Sequence, residues 1–311
     1  MVNMYDIDKS VCESFYDKQN PVMAEKDYLE CVFLNKMFSE DFFNKNFIFA
    51  GGGTISKIYK IGSRIGQDID LAFSDFEDLS CEHNTKALNK FKNNFNNFVF
   101  EDLKPLLSET FKDIGDFTIM TDKQIRASQT VKIGRALPTL YVFYSSNLNP
   151  KIQKCINIEF IARHYPKTLI EYHNVVPYAL NKPGETKIPT VHFSQTFWDK
   201  VYALHTINQI GVIRPGLAHH YYDVVNLAPN IELQKTQNMF KDIERYQQIY
   251  TTRKIAKIQN ISSISLMPKS DDLQKLSKDY SNISGNFIRR PEPWQNIVES
   301  LQRLNTSIKT L

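Results

Sequence analysis

Three consecutive glycines, Gly51-Gly52-Gly53, separate the apolar triplet Phe47-Ile48-Phe49 from the segment Ile55-Ser56-Lys57-Ile58-Tyr59-Lys60. The triplet reads as a short buried strand, and the glycines end it. The segment after them reads as one or two helical turns. Asp68-Ile69-Asp70-Leu71-Ala72-Phe73 then reads as a second strand, polar on one face at its start. A strand–turn–helix–strand unit of this kind commits the chain to a sheet covered by helices.

The glycines raise the question of a phosphate loop. The G-x-x-x-x-G-K-[ST] pattern requires Lys directly after Gly, whereas Gly53 stands four positions before Lys57. The dinucleotide pattern G-x-G-x-x-G fails as well, because Gly51 opens Gly-Gly-Gly-Thr-Ile-Ser. The physics of a helix start remains: backbone N–H groups face outward and glycines allow close approach of an anion. Thr54 and Ser56 add hydroxyl groups, and Lys57 adds either a phosphate contact or an exposed helix charge.

Asp68 and Asp70 stand at i and i+2, so on a strand both side chains leave the same face. Two adjacent carboxylates repel each other, and a divalent cation relieves that repulsion. Hard oxygen ligands suit Mg²⁺ or Mn²⁺. Glu159 lies on Ile156-Asn157-Ile158-Glu159-Phe160, where Asn157 and Glu159 alternate with apolar residues. It is either a third metal ligand or an exposed strand residue.

The 311 residues leave room for two lobes, and 42% hydrophobic with 23% charged residues is an ordinary globular balance. No apolar run reaches the roughly 18 residues of a membrane helix, and the N-terminus has no signal-peptide core. Cys12, Cys31, Cys81 and Cys155 show no C-x-x-C spacing, which reads as reduced thiols in a cytoplasmic protein. Residues 1–120 carry 13 Lys and Arg against 20 Asp and Glu, whereas residues 121–311 carry 25 against 14. A basic second half suits a polyanion such as RNA, or serves solubility.

Along the chain, residues 24–40 read as a helix and 79–116 as mostly helical. Strands are expected at 117–120, 139–144 and 155–161. Residues 173–193, with three prolines and a Pro-Gly, read as a linker between a lobe at 1–172 and a helical lobe at 194–311. Helices are expected at 196–209, 217–227, 231–257, 271–278 and 294–304. The fold class is α+β, a mixed β-sheet flanked by helices and followed by a mostly helical C-terminal lobe.

Gly52-Gly53-Thr54-Ile55-Ser56-Lys57, followed by Arg64-Ile65-Gly66-Gln67-Asp68-Ile69-Asp70-Leu71, resembles the AbiEii/AbiGii toxin family of nucleotidyltransferases. That family lies in the superfamily that includes polymerase beta. Its members carry Gly-Gly-Thr-Ser-Leu-Ser-Lys and Arg-Phe-Ser-Glu-Asp-Ile-Asp-Leu. Thr196-Phe197-Trp198-Asp199-Lys200 is similar to the family's Thr-Phe-Trp-Glu-Lys, and His219-His220-Tyr221-Tyr222-Asp223-Val224 to its Arg-His-Tyr-Tyr-Asp-Leu. Gly66, Gln67 and His219 depart from Ser, Glu and Arg in the family, so a regulatory role of that serine hydroxyl is not carried over.

The resemblance implies a nucleotidyltransferase fold and a Mg²⁺- or Mn²⁺-dependent transfer of NMP from an NTP. Asp68, Asp70, Lys200 and Asp223 would be catalytic, and Asp68, Asp70 and Glu159 would hold metal. Gly52, Gly53, Thr54, Ser56, Lys57, Arg64 and His220 would contact the nucleotide. Arg64 would either brace the loop before the aspartates or touch phosphate. Asp223, beside His219 and His220 on one helix, would orient a neighbour or act as a base. Trp198 is read as core. The resemblance further implies a toxin with a tRNA 3′ end or other RNA acceptor and a cognate antitoxin, with no membrane partner. A protein or small-molecule acceptor, or a silent nucleotide- or RNA-binding module, are the alternatives.

Overall fold

Strand β1 (Phe47–Ala50) is buried along its whole length, as its unbroken apolar sequence requires of a strand covered on both faces. Strand β2 (Asp68–Phe73) pairs with it antiparallel, Phe49 opposite Leu71 and Ala50 opposite Asp70. Strands β3 (Thr118–Thr121), β4 (Thr139–Ser145), β5 (Gln153–Ala162), β6 (Ile170–His173) and β7 (Ile188–Val191) complete a seven-stranded sheet. Its order is β3-β4-β5-β2-β1-β7-β6. The sheet is mixed: β2–β5 and β1–β7 are parallel, and the other pairs are antiparallel. This computed structural model describes residues 21–74, 85–128, 137–146, 148, 153–177, 184–211, 213–241, 243 and 258–311.

The chain divides into two units, one formed by residues 1–59 and 65–191, the other by 60–64 and 192–311. In the first, helix α1 (Pro21–Ser39) and helix α2 (Asp41–Asn46) precede β1. Phe33 of α1 stacks on Phe111 at 4.4 Å and meets Phe117 edge-on at 5.0 Å. Phe111 ends a helical stretch made of α4 (Thr85–Asn97), a π-turn at Phe98–Leu103 and α5 (Lys104–Phe111). The helical segment α3 runs over Gly51–Thr54 and continues as a π-helical turn at Ile55–Tyr59. The glycines are thus the first turn of the helix, whereas a helix starting after them was expected. A further helix, α6 (Asp122–Ser128), follows β3.

The segment expected as a linker carries two strand contributions. His173 closes β6, and Ile188–Val191 forms β7 beside β1, every residue of it buried. The prolines and Pro-Gly mask this strand, and the β-branched Ile188, Thr190 and Val191 give it its β character. Pro189 lacks an N–H, and the β1–β7 pairing is correspondingly short, Phe49 opposite Thr190.

The second unit is helical: α7 (Phe193–Ile210), α8 (Ala218–Leu227), the short α9 (Leu233–Thr236), α10 (Ser270–Asn282) and α11 (Trp294–Lys309). Phe197, Val201 and Leu204 bury one stripe of α7. Trp198 is core, and its indole N–H donates to Thr236 Oγ1 at 3.0 Å. Tyr221 and Tyr222 are buried too: Tyr221 packs on Trp294, and Tyr222 on Phe287 and Tyr280. Asp279 of α10 caps the start of α8, accepting from the Gly216 and Ala218 N–H groups at 2.6 and 2.8 Å. The long helix expected at 231–257 is interrupted by a turn at 237–238 after α9 and resumes at 239–241, while residues 242 and 244–257 lie outside the described residues. Cys31 and Cys155 form no disulfide, while Cys12 and Cys81 lie outside the described residues. Among the described residues no helix is long and apolar enough to cross a membrane.

Phe49 is fully buried, and its ring tip would lie 2.8 Å from any Cβ added at Gly53. It therefore supports the glycine helix from below. Phe49→Ala should destabilise the protein by about 3–5 kcal/mol, the usual range for an emptied aromatic core position. Urea unfolding should show a lowered midpoint at unchanged slope.

Candidate active site

The glycine turn and β2 are brought together by backbone that tolerates no side chain. Gly51 has φ 70°, the left-handed region that favours glycine. A Cβ there would lie 1.8 Å from Asp70 Oδ2. The Asp70 carboxylate therefore sits directly over the first residue of the glycine helix. On the other side, a Cβ at Gly66 would lie 2.7 Å from Gly53 Cα and 2.8 Å from Gly53 N. The approach to β2 thus packs backbone against backbone.

Asp68 and Asp70 leave one face of β2, with Ile69 and Leu71 buried behind them. Strand β5 runs parallel alongside, so Asp68 faces Asn157 and Asp70 faces Glu159 in register. Asp68 Oδ1 accepts from Asn157 Nδ2 at 2.6 Å, which fixes its rotamer. Among the described residues no three His, Cys, Asp or Glu side chains form a group able to hold a metal ion. The donor chemistry of Asp68 and Asp70 still fits Mg²⁺ or Mn²⁺, and the space over Gly51 that any side chain would fill keeps Asp70 close to the glycine turn. Mg²⁺ characteristically takes one or two carboxylates and completes its shell with water and substrate phosphates, not with an all-protein cage. Glu159 stands next to Asp70 in the β2–β5 register.

Three expected nucleotide contacts turn inward instead. Thr54 is fully buried and its hydroxyl donates to the Gly51 carbonyl at 2.8 Å. Ser56 is fully buried, donates to the Gly53 carbonyl at 3.2 Å and accepts from the Gly66 N–H at 3.1 Å. Lys57 is 0% exposed and ion-paired to Asp27 at 3.1 Å and Glu30 at 2.6 Å, both on α1. Burial works against its charge, but Glu30 and Asp27 overcome this and raise its pKa above the ordinary lysine value. The α3 start at Gly51 and Gly52 stays partly accessible, and first-turn N–H groups have no intrahelical acceptor.

In the second unit, Arg64, Lys200 and Asp223 form a buried cluster. Arg64 Nε and Nη2 donate to the two Asp223 oxygens at 2.8 and 2.5 Å, and Lys200 Nζ lies 2.7 Å from Oδ2. Burial opposes the Asp223 charge, yet Arg64 and Lys200 hold its carboxyl far below the usual range. With both oxygens committed and its proton affinity this low, Asp223 orients cations; the geometry does not suit a base. Arg64 thus braces the carboxylate, and two cations against one anion leave the cluster positively charged. The His219 and His220 rings meet at a tilt of 44°, with centroids 4.0 Å apart. Burial, then the Lys200 charge, pushes His220 down to about 3. Burial, then His220, puts His219 well below its ordinary value. Among the described residues the buried Nδ1 of His220 has no hydrogen-bond partner.

The structure adds residues that sequence reasoning did not assign to the site. Asn157 was visible only as a polar strand position, and its register opposite Asp68 lets it hydrogen-bond that carboxylate. Asp27 and Glu30 carried no signal, because acidic residues on a helix are ordinarily solvated.

A family model described as nucleotidyl transferase AbiEii toxin, type IV TA system, matches residues 32–300. Among solved structures, MenT4, a nucleotidyltransferase toxin from Mycobacterium tuberculosis H37Rv, is similar at 13% identity and a TM-score of 0.47, covering 98% of each chain. No curated protein sequence matches the chain.

His219 and His220 have folded pKa values below their unfolded ones, so over the acidic range the unfolded chain binds more protons. Stability should therefore fall as pH drops from about 6.5 to 5, by at most about 2 kcal/mol per histidine. Urea unfolding at the two pH values, beside a His219→Gln/His220→Gln variant, measures this. The variant should lose the pair's share of the slope.

Proposed function

The chain belongs to the AbiEii family of nucleotidyltransferase toxins, and from that premise we propose that it moves NMP from an NTP to an RNA acceptor, a tRNA 3′ end, and so blocks translation. The observation that carries this reading is the Asp68–Asp70 carboxylate pair held against the glycine turn, with Asp70 directly over Gly51. The acceptor hydroxyl oxygen bonds to the α-phosphorus while the bond from that phosphorus to the α–β bridging oxygen breaks. Pyrophosphate leaves, and the hydroxyl proton passes to solvent.

Each residue contributes a defined part. The first-turn N–H groups of α3 and the glycines that expose them bind triphosphate oxygens. Asp68 and Asp70 would hold Mg²⁺ or Mn²⁺, with Glu159 next to Asp70 in the strand register. A divalent ion bound there supplies charge stabilisation at the triphosphate and lowers the pKa of the attacking hydroxyl. Asn157 keeps Asp68 in the rotamer that serves this. Within the second unit, Lys200 and Arg64, set by Asp223, and the neutral His220 form a cationic, hydrogen-bonding cluster of a kind suited to anionic groups. The basic surplus of residues 121–311 favours a polyanionic acceptor. A cognate antitoxin is the partner that a toxin of this family calls for.

The test is a labelling assay with Mg²⁺, each radiolabelled NTP, total RNA and total protein. Label should enter tRNA, and Asp68→Asn and Asp70→Asn should each lower it by about 10² to 10³-fold, matching several kcal/mol of lost charge stabilisation. Label confined to protein would reassign the acceptor. Growth arrest that survives Asp70→Asn would overturn the catalytic reading.

A further inference from the structure

We propose that Asp27, Glu30 and Lys57 form a positioning clamp for nucleotidyl transfer. The α1 carboxylates hold the Lys57 ammonium inside the protein, and Lys57 with Ser56 fixes the peptide of Gly66, which leads into the strand bearing Asp68 and Asp70. The catalytic part of this inference rests on the reading of Asp68 and Asp70 as the reaction's carboxylates.

The geometry assembles the clamp link by link. Lys57 Nζ lies 2.6 Å from Glu30 Oε2 and 3.1 Å from Asp27 Oδ1, with all three side chains 0% exposed. The same ammonium donates to the Gly66 carbonyl at 3.4 Å, a long contact. The other side of the Gly66 residue is held more closely, its N–H donating to Ser56 Oγ at 3.1 Å. Consecutive residues Ser56 and Lys57 therefore grip the donor and the acceptor of one glycine. That glycine packs so tightly on Gly53 that it has no room for a side chain. Two residues later the chain enters β2 at Asp68. A displacement of Gly66 would thus move the carboxylates relative to the glycine turn, and misplacement on the ångström scale is enough to slow a reaction strongly.

A direct phosphate contact by Lys57 fits this arrangement poorly. Reaching outward would strip the ammonium from two buried carboxylates and leave both without it in a low-dielectric interior. Lys26 does not replace it: its Nζ stands 3.7 Å from Glu30 Oε1, on the partly exposed side. The two carboxylates on α1 are thus explained by the lysine they hold, and the lysine by the glycine it helps to fix.

Two measurements test the clamp. The first needs no turnover: native protein is treated with an acetylating reagent, with and without ATP and Mg²⁺, and lysine labelling is read by peptide mass spectrometry. Lys57 should stay unlabelled in both states, and an Asp27→Asn/Glu30→Gln variant should expose it. Ready labelling of Lys57 in the free protein, with protection by ATP, would overturn the clamp in favour of a phosphate contact. The second is kinetic. Lys57→Met should lower kcat by about tenfold or more while the KM for NTP stays within about twofold, the signature of lost positioning and not of lost ground-state binding. Combining it with Asp27→Asn and Glu30→Gln removes the orphaned charges, so the triple variant should fold and recover part of kcat. A raised KM at unchanged kcat, or a triple variant with no recovery over Lys57→Met, would count against the clamp. An Asp70→Asn enzyme that keeps its activity would instead sink the reading of the carboxylates, leaving the labelling result intact.

Discussion

The close approach of Gly66 to Gly53, and of Asp70 to Gly51, is the constraint on which the site depends. Both contacts require hydrogen where any other residue has a side chain. Without them the glycine helix and the carboxylate strand would stand a side chain apart, and an anion on the helix start would be out of reach of a cation on the carboxylates. The sheet enforces the same proximity from below, because β1 and β2 are antiparallel neighbours and Ala50 pairs with Asp70. Phe49 fills the space beneath the helix from the same strand. Packing, register and glycine content therefore converge on one geometry.

Charge in this protein is directed inward to an unusual degree. Lys57 sits between Asp27 and Glu30, and Asp223 between Arg64 and Lys200, all six side chains buried. Buried pairs of this kind contribute little net stability compared with well-packed apolar residues, but breaking one leaves an unpaired charge at high cost. Their value lies in holding one geometry against alternatives. The first cluster steadies the glycine that precedes Asp68. The second fixes the two cations of its own unit and lowers the proton affinity of the neighbouring histidines.

The framework of the fold was legible wherever one physical signal dominated. An apolar triplet marked β1, alternation marked β5, a run of β-formers marked β4, and the helical pattern after residue 193 marked α7, α8 and α11. The pairing of Asp68 with Asp70 followed from strand geometry alone. Strand β7 was hidden because Pro189 and the upstream Pro-Gly weaken every local strand signal, while its burial against β1 is a tertiary effect. Residues carried over from the family pattern kept their places but not always their roles. Ser56 and Lys57 resemble surface donors in sequence, yet nothing local shows that a glycine ten residues away will accept one and donate to the other. The partners Asp27 and Glu30 lie nearly a helix and a strand upstream, a separation over which sequence spacing carries no information about contact.

The arrangement of the carboxylates also explains why they are not gathered into a cage. Asp68 is tied to Asn157, Asp70 stands over Gly51, and Glu159 is opposite Asp70 in the strand register. Mg²⁺ characteristically takes one or two carboxylates, and each further carboxylate at the same point would raise the others' proton affinity. The Asp68–Asp70 pair leaves part of a metal's coordination shell to be completed by phosphate oxygens. In the proposed reaction the cation is then held fully only when the triphosphate is present on the glycine helix. Metal and nucleotide affinity become coupled through the few ångströms that the glycines keep open, so the feature that permits close packing also makes cation binding depend on the substrate.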